Sequence, residues 1–175
     1  MPYSDPNLIH NPSTGAVAPA AWGDVLRDDL EFLIDPPACS VQGSAAVAAT
    51  TSTIVTLTAG TENFDNDAMH STVTNPERIT IQTAGRYDCQ LVVRHNYSAT
   101  AASGRLAQFF VNGVTQYNIA QLSNVTHNGA RDTIVSGGRK IVFAPGDFIV
   151  VRARQDTGVT VDITLDEFAL TFVTR

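Results

Sequence analysis

The sequence predicts an all-β fold: an antiparallel jelly-roll β-sandwich preceded by an N-terminal arm and one short α-helix. Three observations carry this. From residue 38 onward, Thr, Val and Ile are frequent, and turn residues break the chain into short runs at the 8–12-residue spacing of a sandwich. Tyr87, Cys89, Leu91, Val93 and His95 alternate with Asp88, Gln90, Val92 and Arg94, the period-two signature of a strand with one face inward. Asn112-Gly113 stands between two apolar runs, where a type I′ turn needs φ > 0 twice.

Residues 1–19 form the arm. Pro2, Pro6, Pro12 and Pro19 fall in it, each removing a backbone donor and fixing φ, so neither helix nor central strand suits it. Residues 20–34 are the only convincing helix. Trp22, Val25, Leu26, Leu30 and Leu33 recur at three- and four-residue steps on one face, and Asp35-Pro36-Pro37 stops the helix. An isolated helix of this length is marginal in water, so its apolar stripe must dock. It either packs on its own domain or anchors the chain in a larger assembly. The division is therefore 1–37, anchoring arm and helix, and 38–175, the jelly roll, with the boundary between Pro36 and Ser44.

Strands are expected at Thr53–Leu57, Thr61–Phe64, Arg78–Gln82, Tyr87–His95, Arg105–Val111, Thr115–Gln121, Lys140–Phe143 and Phe148–Arg154. In the last strand Val161, Ile163 and Leu165 are apolar at odd positions, but Phe168, Leu170 and Phe172 at even ones. That slip at Asp166-Glu167 marks a β-bulge or a crossing between sheets. The Ser/Ala/Thr stretches 44–53 and 98–103 are loops or weak edge strands.

The 175 residues carry 11 basic and 17 acidic side chains, a net charge of −6, which argues against a nucleic-acid binder or a polybasic membrane-surface protein. No run approaches the roughly 20 apolar residues of a membrane span, and the N-terminus lacks a signal-peptide pattern. The expectation is a soluble product without membrane insertion. Cys39 and Cys89 fit no zinc spacing; two buried thiols and a single bridge both remain open.

Catalytic motifs are absent: there is no GxSxG, HExxH, Walker loop or GxGxxG. Asp65-Asn66-Asp67 with His70 is either a Ca²⁺ loop lacking the EF-hand Gly and Glu or a turn whose Asx side chains bond their own backbone. Arg152 and Arg154 project from the same face of one strand, and either bind an anion or form a salt-bridged surface. No cofactor, metal or catalytic residue is expected, and the chain is expected not to be an enzyme.

The runs ENFDNDAMHSTVTNPERITIQTAGRYDCQLVVRHNY, GRLAQFFVNG and FAPGDFIVVRARQDTG, followed by a closing apolar strand, resemble the jelly roll of the complement globular-head and tumour-necrosis-factor superfamily. The version found in tailed-phage structural proteins is most similar. The matching pieces are Gly85-Arg86-Tyr87 opening a long strand, the Asn112-Gly113 hairpin and Gly146-Asp147 before the penultimate strand; Phe64 and Tyr87 fit the aromatic signature. NPSTGAVAPAAWGDVLRDDLEFLIDPP resembles the leader of such domains in phage virion proteins, and no Gly-X-Y stalk precedes the domain. The resemblance implies a TNF-like homotrimer at the virion surface. Tyr87, Leu91, Val93, His95, Phe168 and Phe172 are expected at its threefold interface, and Trp22, Val25, Leu26, Leu30 and Leu33 on the particle. Capsid decoration is the first placement. A tail-fibre or tail-tip protein binding a host cell-surface glycan is the alternative. A soluble lectin-like module is a further reading; it calls for an aromatic-lined pocket, to which only Tyr97 and Tyr117 could contribute.

Overall fold

The computed structural model describes residues 20–43, 46–98, 103–125 and 131–174. The predicted arm, the Trp22 side chain and parts of the stretches 44–53 and 98–103 lie outside them. Helix α1 (Ala20–Ile34) leads into eleven strands: β1 (Ala38–Gln42), β2 (Val47–Ala49), β3 (Ile54–Thr56), β4 (Thr61–Asp65), β5 (Arg78–Thr80), β6 (Gly85–His95), β7 (Ser103–Val111), β8 (Thr115–Val125), β9 (Thr133–Phe143), β10 (Phe148–Gln155) and β11 (Val161–Thr174).

The strands form two antiparallel sheets packed face to face. One is six-stranded, in the order β4-β1-β11-β6-β9 with β2 also on β11; the other is five-stranded, in the order β3-β10-β7-β8 with β5 also on β10. Strands distant in sequence are neighbours in both sheets, as jelly-roll topology requires. The core lies between the sheets. Cys39, Tyr87, Leu91, Val93, Phe168 and Leu170 project from one side, and Ala107, Phe109, Ile149, Val151 and Ala153 from the other. Phe109 meets Phe168 across the interior, ring centroids 5.7 Å apart. Each fully buried Val, Leu, Ile or Phe side chain among them contributes on the order of 1.5–3 kcal/mol.

The turn chemistry is local and follows the sequence. Asn112 and Gly113 both have positive φ, 51° and 68°, as the β7–β8 hairpin demands. Asn112 does more than turn. Its Nδ2 donates to Asp147 and its Oδ1 accepts from the Phe148 backbone N–H, both at 2.8 Å, which ties this hairpin to the β9–β10 turn. The slip in the last strand is a bulge: the β11–β6 register jumps between Leu165 and Glu167. Asp166, lifted out of the ladder, accepts from Nε and Nη2 of Arg94 at 3.0 and 2.9 Å.

One strand was not expected. β1 is ACSVQ, short and without clear alternation, yet it lies between β4 and β11 with Cys39, Ser40 and Val41 all buried. β2 falls in the stretch assigned to loop or weak edge, and it is a three-residue strand on β11. β9 also starts seven residues before the predicted Lys140, because Gly137-Gly138 interrupts its pattern.

Candidate functional site

Five of the six residues expected at a threefold interface do not reach the surface. Tyr87, Leu91, Val93, His95 and Phe168 are at most 1% exposed within the single chain, on the inward face of the six-stranded sheet. Phe172 is half-buried, with its ring edge-on to Tyr87 at 5.5 Å. That expectation is corrected. Alternation identifies an apolar face, and a sandwich spends that face on its own second sheet.

The opposite face of the same sheet is the free one. Register aligns Phe64, Ser40, Ala169, Gln90 and Gly138 in one row across β4, β1, β11, β6 and β9. The row carries no charge and its middle is small. The row on one side aligns Glu167, Val92 and Ser136; the row on the other aligns Thr171, Asp88 and Lys140. Phe64, Ile134 and Val142 are 51, 56 and 68% exposed on this sheet. Charges begin in the two flanking rows, with Glu167 on one side and Asp88 and Lys140 on the other, and continue to the Arg94–Asp166 pair. A flat surface with a small, uncharged middle and exposed apolar groups allows close approach of another surface. No sequence rule marked it, because Ser40, Ala169 and Gly138 are silent in a hydropathy pattern.

Helix α1 meets the sandwich through Phe32, whose ring is edge-on to Phe172 at 5.0 Å. Val25 is also half-buried. The predicted stripe is not docked: Leu26, Leu30 and Leu33 are 38, 56 and 72% exposed, and Ile34 is 81%. Arg27 is ringed by Asp24, Asp28 and Glu31 on the surface, contacts worth little in water. Asn66 latches the helix exit. Its Nδ2 donates to Asp35 and to the Pro36 carbonyl, and its Oδ1 accepts from the Ala38 N–H. The 65–67 segment is the Asx turn rather than an assembled ion loop: Asp65 accepts from the Asp67 and His70 N–H groups, and His70 contacts Glu62 and the Pro76 carbonyl. Among the described residues no group of three His, Cys, Asp or Glu side chains could hold a metal, and no helix is long and apolar enough to cross a membrane.

The shifted titratable groups lie inside the sandwich. His95 has neither ring nitrogen hydrogen-bonded; burial, then the nearby Arg105 charge, lowers its pKa to about 4. Arg105 is itself fully buried, with Nη1 donating to the Gly104 carbonyl. Gln155 and Thr157 form a satisfied polar knot beside them, the Gln155 amide reaching the Ala49 and Val159 carbonyls. Burial, followed by Asp65 and Glu62, pushes the Cys39 thiol far up, and burial with Asp88 raises Cys89 to about 12. Sequence placed His95 on an apolar face but had no signal that the buried Arg105 charge lies near it.

On the five-stranded sheet the two arginines of the sequence pair divide. Arg154 is neutralised by Asp156 at 2.9 Å, whereas Arg152 lies over the Phe110 ring, 3.5 Å from its centroid.

No family model and no curated protein matches the sequence. Solved structures do match by fold. The globular domain of zebrafish complement 1qA aligns with 79% of this chain and 99% of its own, at 14% identity and a TM-score of 0.54. A tumour-necrosis-factor structure, Eiger from S. frugiperda, covers 79% of this chain and 92% of its own at 10% identity and a TM-score of 0.48. Murine APRIL at pH 5.0 covers 74% and 98% at 9% identity and 0.48. The fold is a jelly-roll β-sandwich similar to that of the complement globular domain.

Proposed function

We propose that the chain is a non-enzymatic surface protein of a tailed-phage particle, a homotrimer of jelly rolls attached through its N-terminal segment. The observation that carries the trimer is the outward face of the six-stranded sheet: an uncharged row, Phe64-Ser40-Ala169-Gln90-Gly138, small in the middle and accompanied by exposed Phe64, Ile134 and Val142. Three such faces closing around an axis bury that surface symmetrically. The interface thus moves from the inward residues the sequence pointed to onto their outward neighbours on the same strands.

The particle placement is supported by the resemblance of residues 11–37 to phage leaders and by the exposed Leu26, Leu30 and Leu33. A threefold array multiplies weak helix contacts into firm attachment. Capsid decoration is the favoured placement and tail attachment, with a host glycan as partner, the second. The absence of a catalytic role is supported by where the perturbed groups sit: His95, Cys39 and Cys89 are enclosed by the sheets, out of reach of a substrate. Immunogold labelling of purified particles with antibody to residues 38–175 tests the reading. Label over the head surface fits decoration, label at the tail fits the second placement, and unlabelled particles would refute the particle assignment.

A further inference from the structure

The outward face of the five-stranded sheet holds two cations without an ion-pair partner among the described residues. Arg78 on β5 lies over the Phe148 ring at 4.9 Å, and Arg152 on β10 over the Phe110 ring at 3.5 Å. Neither guanidinium has a carboxylate within ion-pair distance among the described residues, although the chain as a whole carries −6. Register places both beside one residue. Arg78 and Phe110 are the cross-strand partners of Val150 on either side of β10, and Arg152 follows two positions on. A guanidinium whose flat face rests on an aromatic ring keeps its edge N–H groups directed outward, in the plane that receives a carboxylate in bidentate fashion.

A second observation points to the same place. Gln108, the cross-strand partner of Arg152, projects from the outward face, since its neighbours Ala107 and Phe109 line the core. It is fully buried, yet neither its amide oxygen nor its nitrogen has a hydrogen-bond partner, and Arg152 Nε beside it is also unsatisfied. Unpaired buried amides of this kind are costly and rare in folded proteins. The next strand continues the polar row with Asn118, which accepts from Gln116 Nε2 at 2.9 Å.

We propose that this face binds an acidic saccharide, with a uronate-type carboxylate held between Arg78 and Arg152 and the hydroxyl groups of the sugar paired to the exposed Gln116 and Asn118 amides. The choice of a saccharide follows from the surroundings. The guanidiniums supply charge complementarity to a carboxylate, the amide row matches hydroxyl groups that can both donate and accept, and the Phe110 and Phe148 rings each already carry a guanidinium. The inference does not depend on the trimer or on the particle.

The test uses the full chain and isothermal titration with trigalacturonate, against a neutral galactose trisaccharide and triglutamate. Trigalacturonate is expected to bind, with affinity lowered ~10-fold or more in Arg78→Gln and in Arg152→Gln, the loss of one charge-assisted contact each. Arg154→Gln, whose charge is already paired, is expected to stay within about twofold. Circular dichroism confirms that each variant is folded, and Arg152→Lys, which keeps the charge without the planar fork, is expected to bind more weakly than the native chain. No binding of trigalacturonate, equal binding of the neutral sugar, or retention of affinity in both Gln variants would overturn the site. Equal or tighter binding of triglutamate would overturn the saccharide.

Discussion

Phe32 of α1 and Phe172 of β11 meet edge to face, ring centroids 5.0 Å apart, and Phe172 passes the contact on to Tyr87 in the core at 5.5 Å. This is how the helix is held against the sandwich while its leucines stay outside. Phe32→Ala is expected to release the helix and leave the sandwich intact. Hydrogen exchange should lose protection across residues 25–34 while β6 and β11 stay protected, and global stability should fall by no more than about 1–2 kcal/mol, the value of an aromatic pair with partial burial. Equal loss of protection throughout would mean that the helix is part of the core.

His95 makes stability fall in mild acid. The unfolded imidazole gains a proton near pH 6.5, while the folded one, buried beside Arg105, refuses it until about pH 4. The unfolded state therefore binds more protons between those values, and stability declines as pH drops from 6.5 to 4 and levels off below that as far as this group is concerned. The full effect is on the order of 3 kcal/mol at most. Urea titrations at pH 7, 5.5 and 4 should show the decline, and His95→Gln should flatten that part of the slope. An unchanged slope in the variant would remove His95 from the account.

Cys39 and Cys89 are both register partners of Leu170, one on each side of it. Two strand spacings separate them by roughly 10 Å, beyond the reach of a disulfide, which settles the alternative the sequence left open. Both thiols are free and buried. A thiol reagent at pH 8 is expected to leave the native protein unlabelled and to modify both cysteines after denaturation. Rapid labelling of the folded chain would contradict the packing.

Most of the fold was legible because local chemistry dictates it. Asn112-Gly113 can adopt two positive φ values cheaply, and the change of phase at Asp166-Glu167 marks the bulge that delivers Asp166 to Arg94. What escaped was decided by tertiary context. β1 carries too few apolar residues to announce a central strand, and Gly138 in β9 matters for space rather than hydropathy: a Cβ there would lie 2.8 Å from the Cys89 carbonyl oxygen. The surface sites escaped for a related reason. Tyr87, Leu91 and Phe168 are apolar because they face Phe109 and its neighbours, whereas Ser40, Ala169 and Gln90, which face outward, carry no signature in one dimension. Arg152 was visible in sequence, but its ring partner and the unsatisfied Gln108 beside it required the register of β10 on β7.

The central claim is association through the outward face of the six-stranded sheet. Ala169 stands in the middle of that face, half-buried, so Ala169→Arg adds a long charged side chain there without entering the core. Light scattering on the full native chain and on this variant, with circular dichroism to confirm the fold, decides it. The account predicts three times the 18.7 kDa chain mass for the native protein and a single-chain mass for the folded variant. A monomeric native chain, or a variant that remains trimeric, would contradict it.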